Sequence, residues 1–279
     1  MSDRAASAFL QALIAPQDRP IAARGLAVVI AHPDDETIGA GALLMRTEGS
    51  HVVVATDGAP RSPEVAREHG FATVRDYAAA RQREFQTAMA VAGVPPERQI
   101  MLGFADQGGS FALVQLSAML AGVFIARDIT MAVTHAYEGG HPDHDAVAFA
   151  VQAAKRLLKM RGRDLTVIEM PLYRLDDEDH FSTSFAVTTE DAIDYAVAGP
   201  ELERKKAMIA AHASQQQMLS LFNPAREQFR PALVHDFTAL PNGGRLLYER
   251  MPWGIESAIF QRRVGEAMAA LAREGLRWD

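Results

Sequence analysis

The sequence predicts an α/β fold, a mostly parallel sheet covered by helices on both faces. Three observations lead there. Short apolar runs alternate along the chain with longer stretches of helical periodicity. Punctuating residues such as Gly93 and Pro95-Pro96 separate them. The 279 residues are 48% hydrophobic and 23% charged, enough for a sizeable core. Strands that alternate with helices indicate parallel pairing through helical crossovers.

The elements follow in order. Residues 5–14 predict a short amphipathic helix, and a Pro-containing link runs to about Gly25. Leu26–Ala31 reads as a buried strand and Thr37–Thr47 as a helix; His51–Ala55 is a second strand, closed by Thr56-Asp57-Gly58-Ala59-Pro60. Over Val74–Ala92, the residues Tyr77, Ala78, Arg81, Phe85, Ala88, Met89 and Ala92 share one broad helical face. Ile100–Phe104, Met131–Ala136 and Leu165–Met170 complete a set of strands, with helices over Phe111–Ile125 and Asp143–Met160. Beyond them, Gly199–Phe222 reads as one helix, "RLLYERM" as a strand and Glu256–Gly275 as a closing helix. The expectation is one domain over 1–279, with an N-terminal extension (1–24) and a less regular C-terminal part (185–279).

Bulk properties narrow the function. A net charge of −7 argues against a nucleic-acid-binding surface. The chain has no cysteine, so a disulfide, a thiolate nucleophile and a Cys-ligated zinc site are all excluded. Any metal site must use His and carboxylate. The start "MSDRAASAFLQALIAPQDRP" lacks the apolar core of a signal peptide. No apolar run approaches the ~20 residues of a membrane span. A cytoplasmic enzyme acting on a small molecule is the expectation, with a homo-oligomer left open.

Two motifs carry chemistry, and each falls where a strand ends. Such sheets bind ligands beyond the carboxyl ends of their strands. The first is "AHPDDE", residues 31–36, in which one imidazole and three carboxylates crowd the mouth of a buried strand. Like charges placed together cost stability, and a bound cation offsets that. A tight turn lets His32 and Asp35 converge on one point, as zinc ligands do. Asp34 between them can face a water at the metal. The second motif, "THAYEGGHPDHDAV" (134–147), offers His144 as a third ligand. Three protein ligands leave one position open, the mark of catalytic zinc. His141 then faces the reacting carbonyl. Asp143 either orients an imidazole or caps the following helix.

Each residue also has a plainer reading. Asp-Asp-Glu at a helix start caps free amides and meets the helix dipole. Arg81 suits a solvated helix face or an ion pair with Glu84 or Asp76, and Asp106 a loop turn beside Gly108. His135 suits a satisfied strand position, and His212 a packed helix residue or a rim contact. Met208, Met218 and Leu219 read as core. Gly39-Ala40-Gly41 does not complete GxGxxG, and the acids before it would repel phosphate.

Together, "AHPDDE" and "GGHPDH" (139–144) resemble the LmbE-like, or PIG-L, family of zinc-dependent N-deacetylases. That family includes N-acetylglucosaminyl-phosphatidylinositol deacetylases and the deacetylases of mycothiol and bacillithiol synthesis. Arg81 and Glu84 in "RQREFQTAMAVAG", Asp106 in "LGFADQG" and the segment "KKAMIAAHASQ" (205–215) are also similar to family features, so the likeness spans roughly 25–220. The resemblance implies a Rossmann-like three-layer α/β/α fold. It implies one Zn2+ per chain held by His32, Asp35 and His144. It makes Asp34 the general base, His141 the oxyanion stabiliser or acid, and Arg81 and Asp106 substrate contacts. The implied substrate is a small N-acetylated amino sugar or glycoconjugate. One departure stands out: some sugar deacetylases carry a Tyr two residues before the second-motif histidine, where this chain has Gly139, and Tyr137 lies four before it.

Two competing functions follow from the same residues. A phosphoesterase would place two metals about 3.5–4 Å apart, and spare carboxylates such as Asp57 exist for it. A non-catalytic sugar- or metal-binding protein would lack the base or the open position. Substrate choice is expected to reside in loops near 57–72, 105–111 and 174–184.

Overall fold

Leu26, Val28 and Ile30 point to one side of their strand and Ala27 and Val29 to the other, and both sides are buried. The same alternation holds for Val52 and Val54 against Val53 and Ala55. Strands that are apolar on both sides require a cover on each face, which helical crossovers supply. The computed structural model describes residues 2–251, 253 and 255–278. Its elements run α1 (Ser2–Ile14), β1 (Ile21–Ala22), β2 (Leu26–Ile30), α2 (Asp35–Arg46), β3 (Thr47–Glu48), β4 (His51–Thr56), α3 (Pro63–Glu68) and α4 (Val74–Ala92). They continue through β5 (Gln99–Phe104), α5 (Leu113–Ala126), β6 (Met131–His135), α6 (Pro142–Lys159), β7 (Thr166–Met170), β8 (Arg174–Leu175) and β9 (Phe181–Ser182). The last are β10 (Ile193–Ala196), α7 (Gly199–Ala211), α8 (Gln216–Leu219), β11 (Arg226–Pro231) and α9 (Ser257–Arg273).

The central sheet has seven strands in the order β10-β11-β7-β6-β2-β4-β5. β7, β6, β2, β4 and β5 are mutually parallel, while β11 runs antiparallel to β7 and β10 antiparallel to β11. α1, α2, α4 and α7 cover one face and α5 and α6 the other, with α9 packed against α5. The fold is the three-layer α/β arrangement with a mostly parallel sheet that the sequence indicates. Among the described residues no helix is long and apolar enough to cross a membrane.

The C-terminal third departs from the sequence reading. The helix expected over Gly199–Phe222 ends at Ala211 and resumes only as the short α8. The break occurs where His212 turns inward and becomes fully buried. "RLLYERM" is a 3-10 turn over Leu247–Arg250 rather than a strand. Leu246 and Tyr248 pack with Ile255 in a small cluster of their own, so no sheet edge is needed to bury them. The antiparallel β10–β11 pair was not expected; its exposed and charged positions hide the apolar signal.

α2 is kinked at Ala40, whose φ/ψ of −145° and 19° is not helical. Glu227 of β11 accepts from the Ala42 and Leu43 amides at 2.7 and 3.2 Å, and Lys205 of α7 donates to Glu227 at 2.6 Å and to the Ile38 carbonyl at 3.0 Å. A buried ion pair therefore satisfies backbone groups beside the kink. Burial pushes the Glu227 carboxyl up, against the pull of the Lys205 charge. The glycines at this kink serve packing: a Cβ at Gly39 would lie 2.6 Å from Met170 Sδ.

Candidate active site

The site lies beyond the carboxyl ends of the parallel strands, where both motifs turn into helices. β2 leads into His32–Asp35 and the start of α2, and β6 leads into His141–His144 and the start of α6. The second loop packs tightly on the chain that follows β7: a Cβ at Gly140 would sit 1.9 Å from the Tyr173 carbonyl oxygen, so only glycine fits there.

Asp35 lies beside both His32 and His144: Oδ2 lies 3.3 Å from His32 Nδ1 and Oδ1 lies 3.3 Å from His144 Nε2. Sets whose ligand-capable atoms gather at one place include His32, His141 and His144 and, sharing His144 with it, Asp35, His135 and His144. Each of the two separations is near the ~3.3 Å edge of a tetrahedron with arms of about 2.0–2.1 Å, the usual zinc distances, and they end on different oxygens of Asp35. His144 Nε2 is buried and makes no hydrogen bond, an orphan that a cation would satisfy. Burial pushes the His32 imidazole down, but the Asp35 charge and the hydrogen bonds it donates to Asp106, Asp143 and Asp35 outweigh this, so its pKa stands well above the usual histidine value. Burial pushes Asp35 up, and the charges of His144 and His32 more than reverse this, leaving it well below the carboxylate range. An anionic carboxylate between two imidazoles attracts a cation or, failing one, a proton. The donor set fits a divalent metal.

The surrounding groups fix which nitrogen is free. His32 Nε2 faces Asp106 Oδ1 at 3.0 Å and Asp143 Oδ2 at 3.3 Å, which leaves Nδ1 as the nitrogen facing Asp35. Asp143 also accepts from the Gln107 and Gly109 amides at 2.6 and 2.8 Å. Of its two sequence readings, orientation of an imidazole is the one this geometry supports. His135 approaches the same carboxylate, but its Nε2 accepts from the Ala31 amide at 2.8 Å. Its lone pair is thereby used, and its ring stacks on His144 at 4.2 Å as a backing plate.

His141 caps α6: its Nδ1 accepts from the Asp143 amide at 3.1 Å, so the neutral ring carries its proton on Nε2. Burial, followed by the charges of His32 and His144, pushes its pKa well below the usual histidine value. In that tautomer the neutral ring offers Nε2–H as a hydrogen-bond donor.

Asp34 has φ 156° and ψ −23°, a combination rare for a non-glycine residue and costing about 1–3 kcal/mol. Its amide donates to the His32 carbonyl at 2.9 Å and to Glu36 Oε2 at 3.0 Å. Arg81 holds the same turn from below, donating to Asp34 Oδ2 (3.1 Å), the Pro33 carbonyl (3.0 Å) and the Gly58 carbonyl (2.7 Å). Burial raises the Asp34 carboxyl to about 6 despite the Arg81 charge. Glu36, the third acid of the motif, accepts from Thr37 Oγ1 at 2.7 Å, and His212 Nε2 lies 3.1 Å from that same hydroxyl. Three adjacent carboxylates thus have three separate environments.

A cavity of about 170 Å³ is lined by His32, Asp34, Asp35, Arg81, Asp106, His141 and Gln215 together with Ile38, Tyr173, Met218, Leu219, Phe222, Met251 and Trp253. Sequence reasoning did not anticipate the apolar part of this lining, though Leu219 is also core, packed with Ile38, Leu172 and Tyr173 and with Met218 against them. Of the three loops expected to govern substrate choice, only 105–111 supplies a lining residue, Asp106. Tyr137 is turned away, its hydroxyl donating to the Ala239 carbonyl at 3.2 Å and its ring packed on Phe237.

Fold and site together define a three-layer α/β protein with a buried cluster of His and carboxylate groups that could hold a metal ion. Residues 27–155 match the profile of the PIG-L family, described as GlcNAc-PI de-N-acetylase. That segment, a little under half of the chain, is similar to the PIG-L, or LmbE-like, family. A search of curated proteins finds no match. Among solved structures, it is similar to a teicoplanin deacetylase in its zinc-inhibited form, with 18% identity, 74% of this chain and 97% of the other covered, and a TM-score of 0.55. It is also similar to the A40926 pseudoaglycone deacetylase, with 20% identity, coverage of 75% and 96%, and a TM-score of 0.56. A third is the 4-carboxy-2-hydroxymuconate hydratase of Pseudomonas putida KT2440, with 16% identity, coverage of 70% and 81%, and a TM-score of 0.52. At such identities these likenesses concern the fold.

Proposed function

We propose that the chain is a metal-dependent amidohydrolase that removes acetyl from the amide nitrogen of an N-acetylated amino sugar or its conjugate, with one zinc per chain. The observation that carries this reading is the Asp35 carboxylate, 3.3 Å from both His32 Nδ1 and His144 Nε2, with Asp34 and His141 lining the same cavity. His32, Asp35 and His144 would hold the metal, which when bound supplies Lewis-acid polarisation of the amide carbonyl and makes water more acidic.

The chain's own groups do the rest. Asp34 takes the proton of the attacking water, and a carboxyl at about 6 suits a base that must later return it. As the new C–O bond forms, the carbonyl π pair moves to oxygen, where His141 Nε2–H donates. Removing a donor of this kind typically costs roughly 3–4 kcal/mol of barrier. When the C–N bond breaks, Asp34 passes its proton to the amine, and acetate and free amine leave. Arg81 keeps Asp34 aimed and Asp106 keeps His32 aimed; both also line the cavity and can meet substrate.

The fold alone does not select the reaction, since a hydratase shares it. Against the two-metal phosphoesterase reading, Asp57 is already occupied by Arg61 at 2.6 Å and by the Ala59 and Asp106 amides. The deciding experiment is an acetate-release screen of zinc-loaded protein over N-acetylglucosamine derivatives, with metal content measured in parallel. Acetate with about one zinc is expected. Two metals with turnover of phosphate esters, or sugar binding without acetate, would overturn the reading.

A further inference from the structure

The active site occupies the carboxyl ends of the parallel strands, and a separate group of side chains gathers at their amino ends. Arg24 stands just before β2, His51 opens β4, Arg98 stands just before β5, and Arg127 follows α5 ahead of β6. All of them line one open cleft of about 350 Å³, together with Glu97 and Asp128. A single glycine places two of the arginines. Gly49 has a φ of 90°, and a Cβ there would lie 2.9 Å from Arg24 Cγ. Its carbonyl accepts from Arg98 Nη1. Glycine adopts that backbone conformation freely and leaves room for the Arg24 stem.

Charge in the cleft is unbalanced. Among the described residues, Arg24, Arg98 and Arg127 make no ion pair. Asp128 is already held by Arg163 at 2.9 Å, and Glu97 is exposed. Positive groups gathered in a concave surface attract an anion, even in a chain of net charge −7. His51 supplies an independent sign. It is only 6% exposed, and its Nδ1 is buried with no hydrogen-bond partner. Buried polar atoms are seldom left unpaired. Burial, followed by the charges of Arg98 and Arg127, pushes its pKa below the usual histidine value, against a pull from the Leu26 carbonyl. An anion among the arginines would give the imidazole a partner and offset the charges that oppose its protonation. Guanidinium forks match phosphate as well as carboxylate oxygens. Three of them exceed what one carboxylate accepts, whereas a phosphate offers three oxygens and close to two charges.

We propose that Arg24, His51, Arg98 and Arg127 form a binding site for a phosphate group, free or as the monoester of a small molecule, at the end of the sheet away from the active site. The site stands independently of the amide-hydrolysis reading. Calorimetric titration of the full chain with inorganic phosphate, glycerol phosphate and glycerol tests it. Both phosphates bind, glycerol does not, and binding weakens as salt is raised. Arg24→Ala and Arg127→Ala each lower phosphate affinity about tenfold or more, the loss of a hydrogen bond to a charged group. His51→Gln weakens it as well, and the exposed Arg24 and Arg127 keep the test independent of any folding defect in that variant. Arg67→Ala, which removes an exposed arginine of α3 outside the cleft, leaves it unchanged. Tighter binding of glycerol phosphate marks a monoester as the occupant and equal binding the free ion, and either upholds the site. Failure of both phosphates to bind would overturn it. So would an affinity that Arg24→Ala and Arg127→Ala leave intact, the mark of phosphate on an active-site metal, or one that Arg67→Ala lowers equally, the mark of an adventitious ion only.

Discussion

The charged and the large apolar residues lining the cavity differ in origin as much as in chemistry. His32, Asp34, Asp35, Arg81, Asp106 and His141 all fall inside the segment that matches the family, and most lie in turns immediately after parallel strands; Ile38 is an early apolar lining residue and Gln215 a late polar one. Tyr173, Met218, Leu219, Phe222, Met251 and Trp253 all fall after residue 155. Reaction chemistry needs donor atoms fixed to within tenths of an ångström, and short turns on a rigid sheet provide that. An apolar lining needs only area and shape, which segments from anywhere in the chain can supply.

The largest effect expected is on the charged lining. Asp34→Asn lowers acetate release by about 10²–10⁴-fold, while zinc content stays at its wild-type value. Loss of zinc in this variant, or undiminished turnover, would break the division of labour between Asp34 and Asp35.

The next tests the joint between the two regions. Lys205→Met leaves Glu227 buried and unpaired behind α2, and denaturant titration is expected to register a loss of about 3–5 kcal/mol. The double variant Lys205→Met/Glu227→Gln recovers most of it. Burial raises the folded-state pKa of Glu227 above its unfolded value of 4.5. The resulting stability is fully present below pH 4.5 and falls as pH rises through the folded value. Lys205→Met raises that folded value further, so its cost is larger at pH 7 than at pH 4.

Asp143→Asn weakens the support of His32 without removing a ligand. Zinc affinity, measured by chelator competition, falls by about 10–100-fold, whereas Phe222→Ala leaves zinc affinity unchanged. The smallest effect is Tyr137→Phe. It removes one hydrogen bond to the Ala239 carbonyl, worth about 1 kcal/mol, and leaves acetate release unaltered. A large loss of turnover there would redraw the charged lining.

How much was legible differs between these regions for a physical reason. "AHPDDE" and "GGHPDH" stand out because clustered charge at the end of an apolar run is costly without a purpose. The strands from Leu26 to Met170 stand out because both of their faces are buried. Tyr173 and Trp253 carry no such signal, since an isolated aromatic in a loop looks the same whether it faces the core or a cavity. β10 and β11 form an outer antiparallel pair with exposed, charged positions, so alternation there is faint. Arg81 shows the intermediate case. Its helix and its buried face were readable, but its grip on the Asp34 turn depends on Gly58, 23 residues away, whose φ of 62° and missing Cβ make room for the guanidinium.

By itself the sequence determined the layered α/β class and the clustering of His and carboxylate groups at strand ends, because hydrophobic periodicity and clustered donor atoms are local properties. Tertiary structure decided which lone pair each histidine offers, separating His135 from His144 through a single amide hydrogen bond from Ala31. It also decided what faces the cluster. Those decisions depend on distances between segments more than a hundred residues apart, and those distances exist only once the sheet has formed.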